Sequence, residues 1–265
     1  MADHAADSPS YVPALRKGFA LLEMLADQGP MSLAQVERAS GLNRTMSYRL
    51  LKAMGDLGYV EHDPEAHKYG LGLRVLGLGA VAADRLNFTQ IASPVLASLR
   101  DELQETVTLG VVSGTELLYV GALASSRFPD NGPRLSSRDP VHATAGGKAI
   151  LAFQAPGERE QKVAALNPLP VLTPKTIVDP EALAHDLTRT RERGYAVDEE
   201  ENRLGFRGLG VPVLDEHDLP LAGLSLFGPV ERIGLDRVVS IVKRLWQASQ
   251  ELTRRVGKAP GRLAP

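Results

Sequence analysis

The chain has 265 residues, 43% hydrophobic and 23% charged, and a formal net charge of -2 at pH 7. Such a composition describes an ordinary globular protein, and the length suits two modest domains better than one large one. Having no cysteine excludes disulfides, thiolate metal sites and cysteine nucleophiles and fits a reducing compartment. The net charge excludes a globally basic nucleic-acid coat but not a local basic patch. There is no run of about 18 apolar residues, and Met1–Ser10 has no basic stretch leading into an apolar one, so a cytoplasmic protein without membrane contact is expected.

Past a tail at 1–11, Leu15, Phe19, Leu22 and Leu25 recur at helical spacing, predicting a first helix that ends at Gly29-Pro30. Ser32 and Gln35 have capping-box spacing, with Met31 able to staple onto Val36, so a second helix starts near Ser32. It stops at Gly41, and Asn43 offers a cap to a third helix reaching about Leu57. In that helix Leu42, Met46, Leu50, Met54 and Leu57 can hold the inner face, leaving Arg44, Thr45, Tyr48, Arg49 and Lys52 outside. Donors near a helix start and cations along its flank are what groove reading and phosphate contact require. Tyr59–His62 and Lys68–Leu71 around the turn Asp63–Ala66 read as a wing, with Lys68 as a further DNA contact. The ordered series favours a winged helix-turn-helix over a merely solvated helix and hairpin.

Gly72–Asn87 is unusually apolar and is followed by a helical pattern over Phe88–Glu105, which Pro94 kinks or divides. This long segment, with a linker helix at 74–90, is a dimerisation surface or packs on the second domain. From Thr106 the period becomes two, predicting a hairpin turning at Ser113-Gly114-Thr115. Strands at Leu209–Leu214 and Leu221–Phe227, with helices at Gly147–Phe153, Pro156–Ala165, Pro180–Arg193 and Leu235–Val256, give an α+β sensor-like domain over 91–257 and a tail at 258–265. Ser125–Pro140, containing Arg127, Asn131, Gly132, Arg134 and Arg138, reads as a polar lid or disordered loop.

Catalytic motifs fail. Around Gly147-Lys148 a phosphate loop would need glycine at His142 and a hydroxyl at Ala149; the glycines at 70, 72, 77 and 79 miss dinucleotide spacing; Ser225 lacks the second glycine of a nucleophile elbow. Asp198, Glu199, Glu200 and Glu201 read as a solvated acidic loop, and no metal site, cofactor or catalytic residue is expected. His142 is either packed or part of a pocket at a glycine-rich helix start able to hold a carboxylate.

The chain resembles the IclR family of bacterial transcriptional regulators over nearly its whole length. The likeness rests on Leu15–Leu22, Ala39–Leu42, Arg49–Leu51, Tyr69–Gly72, His142–Ala145 with Gly147–Ala149, Arg193–Ala196, Glu200-Glu201, Val211–Val213 and Gly228-Pro229. It implies a winged helix-turn-helix domain (12–73), a linker helix and a GAF-like effector domain, assembled as a homodimer or dimer of dimers on double-stranded operator DNA. DNA contact then falls on Asn43, Arg44, Thr45, Ser47, Tyr48, Arg49 and Lys52. Ser47 stands where the family commonly has a β-branched apolar residue, leaving open whether Met46 or Ser47 faces the core. The implied effector set is His142, Ala145, Gly146, Gly147, Asp198, Gly208, Leu209, Ser225 and Phe227. Members that bind small polar acids tend to have cysteine at the place of Gly208 and serine at that of Phe227. This chain is therefore expected to take an effector larger and more apolar than glyoxylate, unless Phe227 belongs to the core and Gly208 only avoids a clash. The rival class is an enzyme using His142, Asp198 and Glu200 as acid-base groups on a small carboxylic substrate.

Overall fold

The computed structural model describes residues 12–86, 88–127 and 132–256, with side chains described outside 80–89. The expected tails at 1–11 and 258–265, and Asn131, lie outside the described residues. The chain divides into two compact units, Met1–Arg85 and Leu86–Pro265.

In the first unit α1 (Pro13–Gln28) has proline in its first turn and Gly29 at its end with φ 76°. It buries Gly18, Leu21 and Leu25, whereas Leu15 and Phe19 are each 58% exposed. This corrects the expected stripe at Leu15 and Phe19, while Leu22 and Leu25 pack in the core as expected. The sequence offers two overlapping stripes, and the one containing Gly18 wins because α3 packs there, with Met54 Sδ 3.7 Å from where a Cβ on Gly18 would stand.

β1 (Met31–Ser32) leads into α2 (Leu33–Ser40), whose capping box is fully formed between Ser32 and Gln35, and Gly41 closes it in the left-handed conformation. In α3 (Arg44–Asp56) the Asn43 side chain accepts from Met46 N–H at 2.9 Å. This helix buries Ser47 and Leu51 completely, while Met46 is half-buried and Leu57 is 56% exposed. Leu42, Leu50 and Met54 pack against the core as expected, but its centre on this helix is Ser47 and Leu51, and Leu57 lies outside it. β2 (Val60–Asp63) and β3 (Lys68–Leu71) form the wing, in the sheet order β1-β3-β2. At its turn Asp63 Oδ1 accepts from the N–H groups of Glu65 and Ala66, each at 2.9 Å, holding that carboxyl below its ordinary range. Leu21, Leu25, Met31, Val36, Leu51 and Val60 are the core, and each such side chain contributes about 1.5–3 kcal/mol by burial. α4 (Leu73–Leu86) follows.

The second unit begins with α5 (Phe88–Leu103), which runs unbroken through Pro94. The carbonyl deprived of its partner belongs to exposed Gln90, on the solvent side of the helix where its loss costs least, and the expected division does not occur. Then come β4 (Thr106–Ser113), β5 (Glu116–Leu123), β6 (Arg138–Pro140), a 3-10 turn at Val141–Ala143, α6 (Ala145–Phe153), α7 (Pro156–Ala165), α8 (Pro180–Arg193), β7 (Ala196–Glu199), β8 (Phe206–Leu214), β9 (Pro220–Pro229) and α9 (Leu235–Val256). The antiparallel sheet has the order β6-β5-β4-β9-β8-β7.

Alternation gives this sheet two different faces. Val107, Leu109, Leu209, Val211, Leu224 and Leu226 meet Leu99 of α5 and Ile241, Leu245 and Leu252 of α9. The other face carries Gly210 and Gly223, and α6 lies directly on it. A Cβ on Gly210 would stand 2.5 Å from the Ala145 carbonyl oxygen, and one on Gly223 would overlap that of Gly146. Outside α6, Leu151 packs with Leu183 and Leu187 of α8.

Two strands of this unit, like the two-residue β1 of the first, escaped the sequence reading. β6 is three residues long, and β7 was hidden by its acidic composition. The solvated-loop expectation for 198–201 is corrected: Asp198 and Glu201 are 2% and 5% exposed, with backbone N–H groups on Asp198 Oδ1 and a buried lysine on Glu201 Oε1, while Glu201 Oε2 is buried without a hydrogen-bond partner.

Candidate nucleic-acid interface and ligand site

Asn43, Arg44, Thr45, Tyr48, Arg49 and Lys52 share the outer face of α3, all exposed, with Tyr48 at 46%. Among the described residues Arg44, Arg49 and Lys52 have no ion-pair partner, so their charges are available to phosphates. Lys68 is exposed on the wing opposite Asp63. Ser47 is excluded from this face. It is 0% exposed with its Oγ buried and unpartnered, so it cannot reach a groove edge.

On the α6 face of the second unit, strand register aligns side chains in rows. One row runs Thr106, Phe227, Gly208, Asp198 across β4, β9, β8 and β7; the next runs Thr108, Ser225, Gly210, Ala196; a third includes Tyr119, Gly110 and Gly223. Ser225 Oγ lies 2.7 Å from Thr108 Oγ1 and 3.2 Å from where a Cβ on Gly146 would be. Phe227 lies on this face, not with Leu224 and Leu226 in the α9 core, and its ring stacks on Phe206 with centroids 4.9 Å apart. A Cβ on Gly208 would sit 3.2 Å from the Cβ atoms of both Ala145 and Asp198, so the volume of the missing side chain is largely filled by neighbours.

At the end of the first row, Asp198 Oδ1 accepts from Glu201 N–H at 2.8 Å and Asn202 N–H at 3.2 Å. Burial outweighs these bonds and pushes its carboxyl up to about 7. Glu201 is raised by burial too, opposed by Lys148, whose Nζ is 2.5 Å from Glu201 Oε1 and 3.0 Å from Asp186 Oδ2. Tyr119 donates its hydroxyl to Asp139 Oδ2 at 2.8 Å, and Asn202 Nδ2 donates to the same oxygen at 3.2 Å. Burial, with Asp139 adding to it, holds the Tyr119 hydroxyl well above its ordinary value. Thr108, Tyr119, Asp139 and Asn202 were not foreseen; the alternation of β4 and β5 was the signal for the first two.

Ala145, Gly146, Gly208, Ser225, Phe227 and Asp198 are thus brought together. Gly147 adjoins them, its N–H bonded to the Thr144 cap at 3.2 Å. Two expected residues are not. Leu209 points into the α9 core. His142 hydrogen-bonds the Pro170 carbonyl oxygen at 3.2 Å and lines a separate cleft of about 230 Å³ with Glu116, Pro140 and Pro168, its pKa lowered chiefly by burial. A larger cleft of about 620 Å³ opens at the β7 edge among Lys175, Asp186, Arg189, Arg207 and Val238. Its charges are already paired within the protein, Lys175 with Glu200, Arg207 with Glu199 and Arg189 with Asp186. The described residues contain no group of His, Asp and Glu able to hold a metal ion, and no described helix is long and apolar enough to cross a membrane.

This two-part geometry has counterparts among known proteins. Residues 14–64 match the IclR helix-turn-helix domain and residues 80–254 the bacterial transcriptional regulator IclR C-terminal domain. The chain belongs to the IclR family. It is 32% identical over 255 residues to the transcriptional repressor IclR of Escherichia coli K12, covering 95% of this chain and 93% of that one. It is 29% identical over 249 residues to the regulator KdgR of the same organism, covering 94% of both. Its fold matches the crystal structure of an IclR homolog from Microbacterium hydrocarbonoxydans complexed with 4-hydroxybenzoate, with TM-score 0.79, 26% identity and coverage of 93% and 100%. The Thermotoga maritima IclR gives TM-score 0.71 and 27% identity over 93% of this chain and 100% of that one. The protein is an IclR-family DNA-binding transcriptional regulator with a C-terminal effector domain of α+β, GAF-like architecture.

Proposed function

We propose that this IclR-family regulator reads a palindromic operator as a homodimer or dimer of dimers in the cytoplasm, and that an aromatic or extended carboxylic acid on the α6 face alters that binding. Asn43, Arg44, Thr45, Tyr48, Arg49 and Lys52 enter the major groove, and Lys68 meets phosphate beside it. The observation that carries this is the capped α3 with its exposed, unpaired cations. Self-association is supported by apolar surface left open on the first unit: Val12, Leu15 and Phe19 on and before α1, and Leu73, Leu76 and Leu78 on α4, all more than half exposed. Two recognition helices about 34 Å apart would then meet successive grooves.

The effector chemistry rests on the stacked Phe206–Phe227 pair beside the Thr108–Ser225 hydroxyls and the start of α6, which suits an apolar body with one polar head. The 4-hydroxybenzoate held by the Microbacterium relative agrees with that class. The effector is released intact: Asp198 and Glu200, the acid-base candidates of an enzyme, have His142 in another cleft rather than beside them. Footprinting on genomic fragments with and without aromatic acids tests the proposal, and a protected palindrome whose occupancy responds to one of them is the expected result.

A further inference from the structure

Lys148 is 0% exposed, inside the first turns of α6. Taking an ammonium out of water costs several kcal/mol, and an apolar residue of similar volume would serve packing alone equally well. Its two partners lead in one direction. Asp186 Oδ2, at 3.0 Å, anchors the ammonium from α8, and Arg189 steadies that carboxylate from the far side. Glu201 Oε1, at 2.5 Å, belongs to the turn after β7.

That turn is held from several sides. Glu200 is in the left-handed region at φ 61°, Thr173 and Thr176 donate their hydroxyls to the carbonyl oxygens of Glu200 and Glu201, and the N–H groups of Glu201 and Asn202 close on Asp198 Oδ1. Asp198 in turn borders Gly208, which is next to Phe227 in the same row.

We propose that Lys148 is a positioning residue of the effector site: by clamping Glu201 it fixes the 198–202 turn and with it the Asp198 carboxyl beside Gly208 and Phe227. This rests on the reading of the α6 face as the effector site, and its test needs no effector.

The test uses NMR of the full chain and its Lys148→Met and Glu201→Gln variants, following amide exchange at Glu201 and Asn202 and the carboxyl-carbon titration of Asp198. The titratable groups around Asp198 are Lys148, which holds its midpoint down, Glu201, which pushes it up, and the neutral Tyr119 with its partner Asp139 across the site. Lys148→Met is expected to speed exchange at 201 and 202 at least tenfold relative to β8 and β9 and to raise the Asp198 midpoint. Glu201→Gln, nearly isosteric, is expected to lower it. A general loosening of the domain would hydrate Asp198 and lower the midpoint in both variants. Shifts of the same sign, or exchange at 201 and 202 unchanged in Lys148→Met, overturn the proposal. If Lys148→Met does not fold, an unmoved or raised midpoint in Glu201→Gln does so. Either failure leaves operator binding and effector response to be judged on their own measurements.

Discussion

The hydroxyls of Thr108 and Ser225 lie 2.7 Å apart, although 117 positions separate them in the chain. They join β4 to β9 under α6, and both residues are nearly buried, at 1% and 6% exposed. Ser225→Ala leaves the Thr108 hydroxyl without this partner and is expected to cost about 1–2 kcal/mol. Adding Thr108→Val should cost less than the sum of the two single changes. Urea unfolding of the four proteins measures the coupling; strict additivity would mean that the hydroxyls do not depend on each other.

Two neighbours on α3 are expected to behave in opposite ways. Arg49→Ala should weaken operator binding by over about 1 kcal/mol and flatten its salt dependence by about one unit of slope, leaving thermal stability unchanged. Ser47→Ala should leave DNA affinity unchanged and raise stability by up to about 1 kcal/mol, because it removes a buried hydroxyl that has no partner. Anisotropy titrations and thermal melts separate the two.

The glycines under α6 differ in the room they leave. Gly223→Ala would drive a methyl group into the Gly146 backbone and is expected to destabilise the second unit by about 3 kcal/mol or more. Gly208→Ala meets the Cβ atoms of Ala145 and Asp198 at 3.2 Å and Asp198 Oδ2 at 3.5 Å, and is expected to cost less than about 1.5 kcal/mol while narrowing the proposed effector site. Equal melting-point losses in the two variants would contradict this ordering.

Acid stability carries the signature of Asp198. Its carboxyl stands at about 7 in the fold against an ordinary 3.8, so between those values the folded chain keeps a proton that the unfolded chain releases. Stability contributed by this group is full below about pH 4, falls as pH rises, and is lost above about pH 7. Asp198→Asn keeps an oxygen for the Glu201 and Asn202 N–H groups but cannot ionise. The variant should match the natural protein near pH 4 and exceed it increasingly towards pH 8, as denaturant unfolding would report. Glu201 and Glu105, also raised by burial, add a slope of the same sign to both proteins, so the difference between them reports Asp198 together with its coupling to Glu201.

The DNA-binding half was legible because its determinants are local. Ser32 with Gln35, Gly41 and Asn43 each fix a helix end through bonds spanning three or four residues, and all took the expected form. What local periodicity could not settle was which of two apolar stripes faces inward, since Gly18 and Ser47 earn their buried places only through the helix packed against them. The same limit explains the second unit. The β4–β5 hairpin and the β8 and β9 strands show alternation, whereas Glu201 reads as solvated because its partner Lys148 lies 53 positions away, and Asp198 because its backbone partners come together only when the turn after β7 closes. Leu209 was grouped with Ser225 against its strand alternation, and His142 by its place before the glycine-rich helix start; Leu209 turns to the α9 core, and His142 takes the packed alternative on the Pro170 carbonyl.

The central claim is that the outer face of α3 reads DNA and that an occupant of the α6 face changes how well it does so. The most direct measurement is fluorescence anisotropy on a duplex recovered by footprinting, at physiological salt, with and without 4-hydroxybenzoate and longer aromatic acids, for the natural protein and for Arg49→Ala and Ser225→Ala. The account predicts sequence-specific binding that Arg49→Ala weakens, and an effector-induced change in affinity that Ser225→Ala blunts without altering effector-free binding. Equal affinity for scrambled DNA, or an effector response indifferent to Ser225, would contradict it.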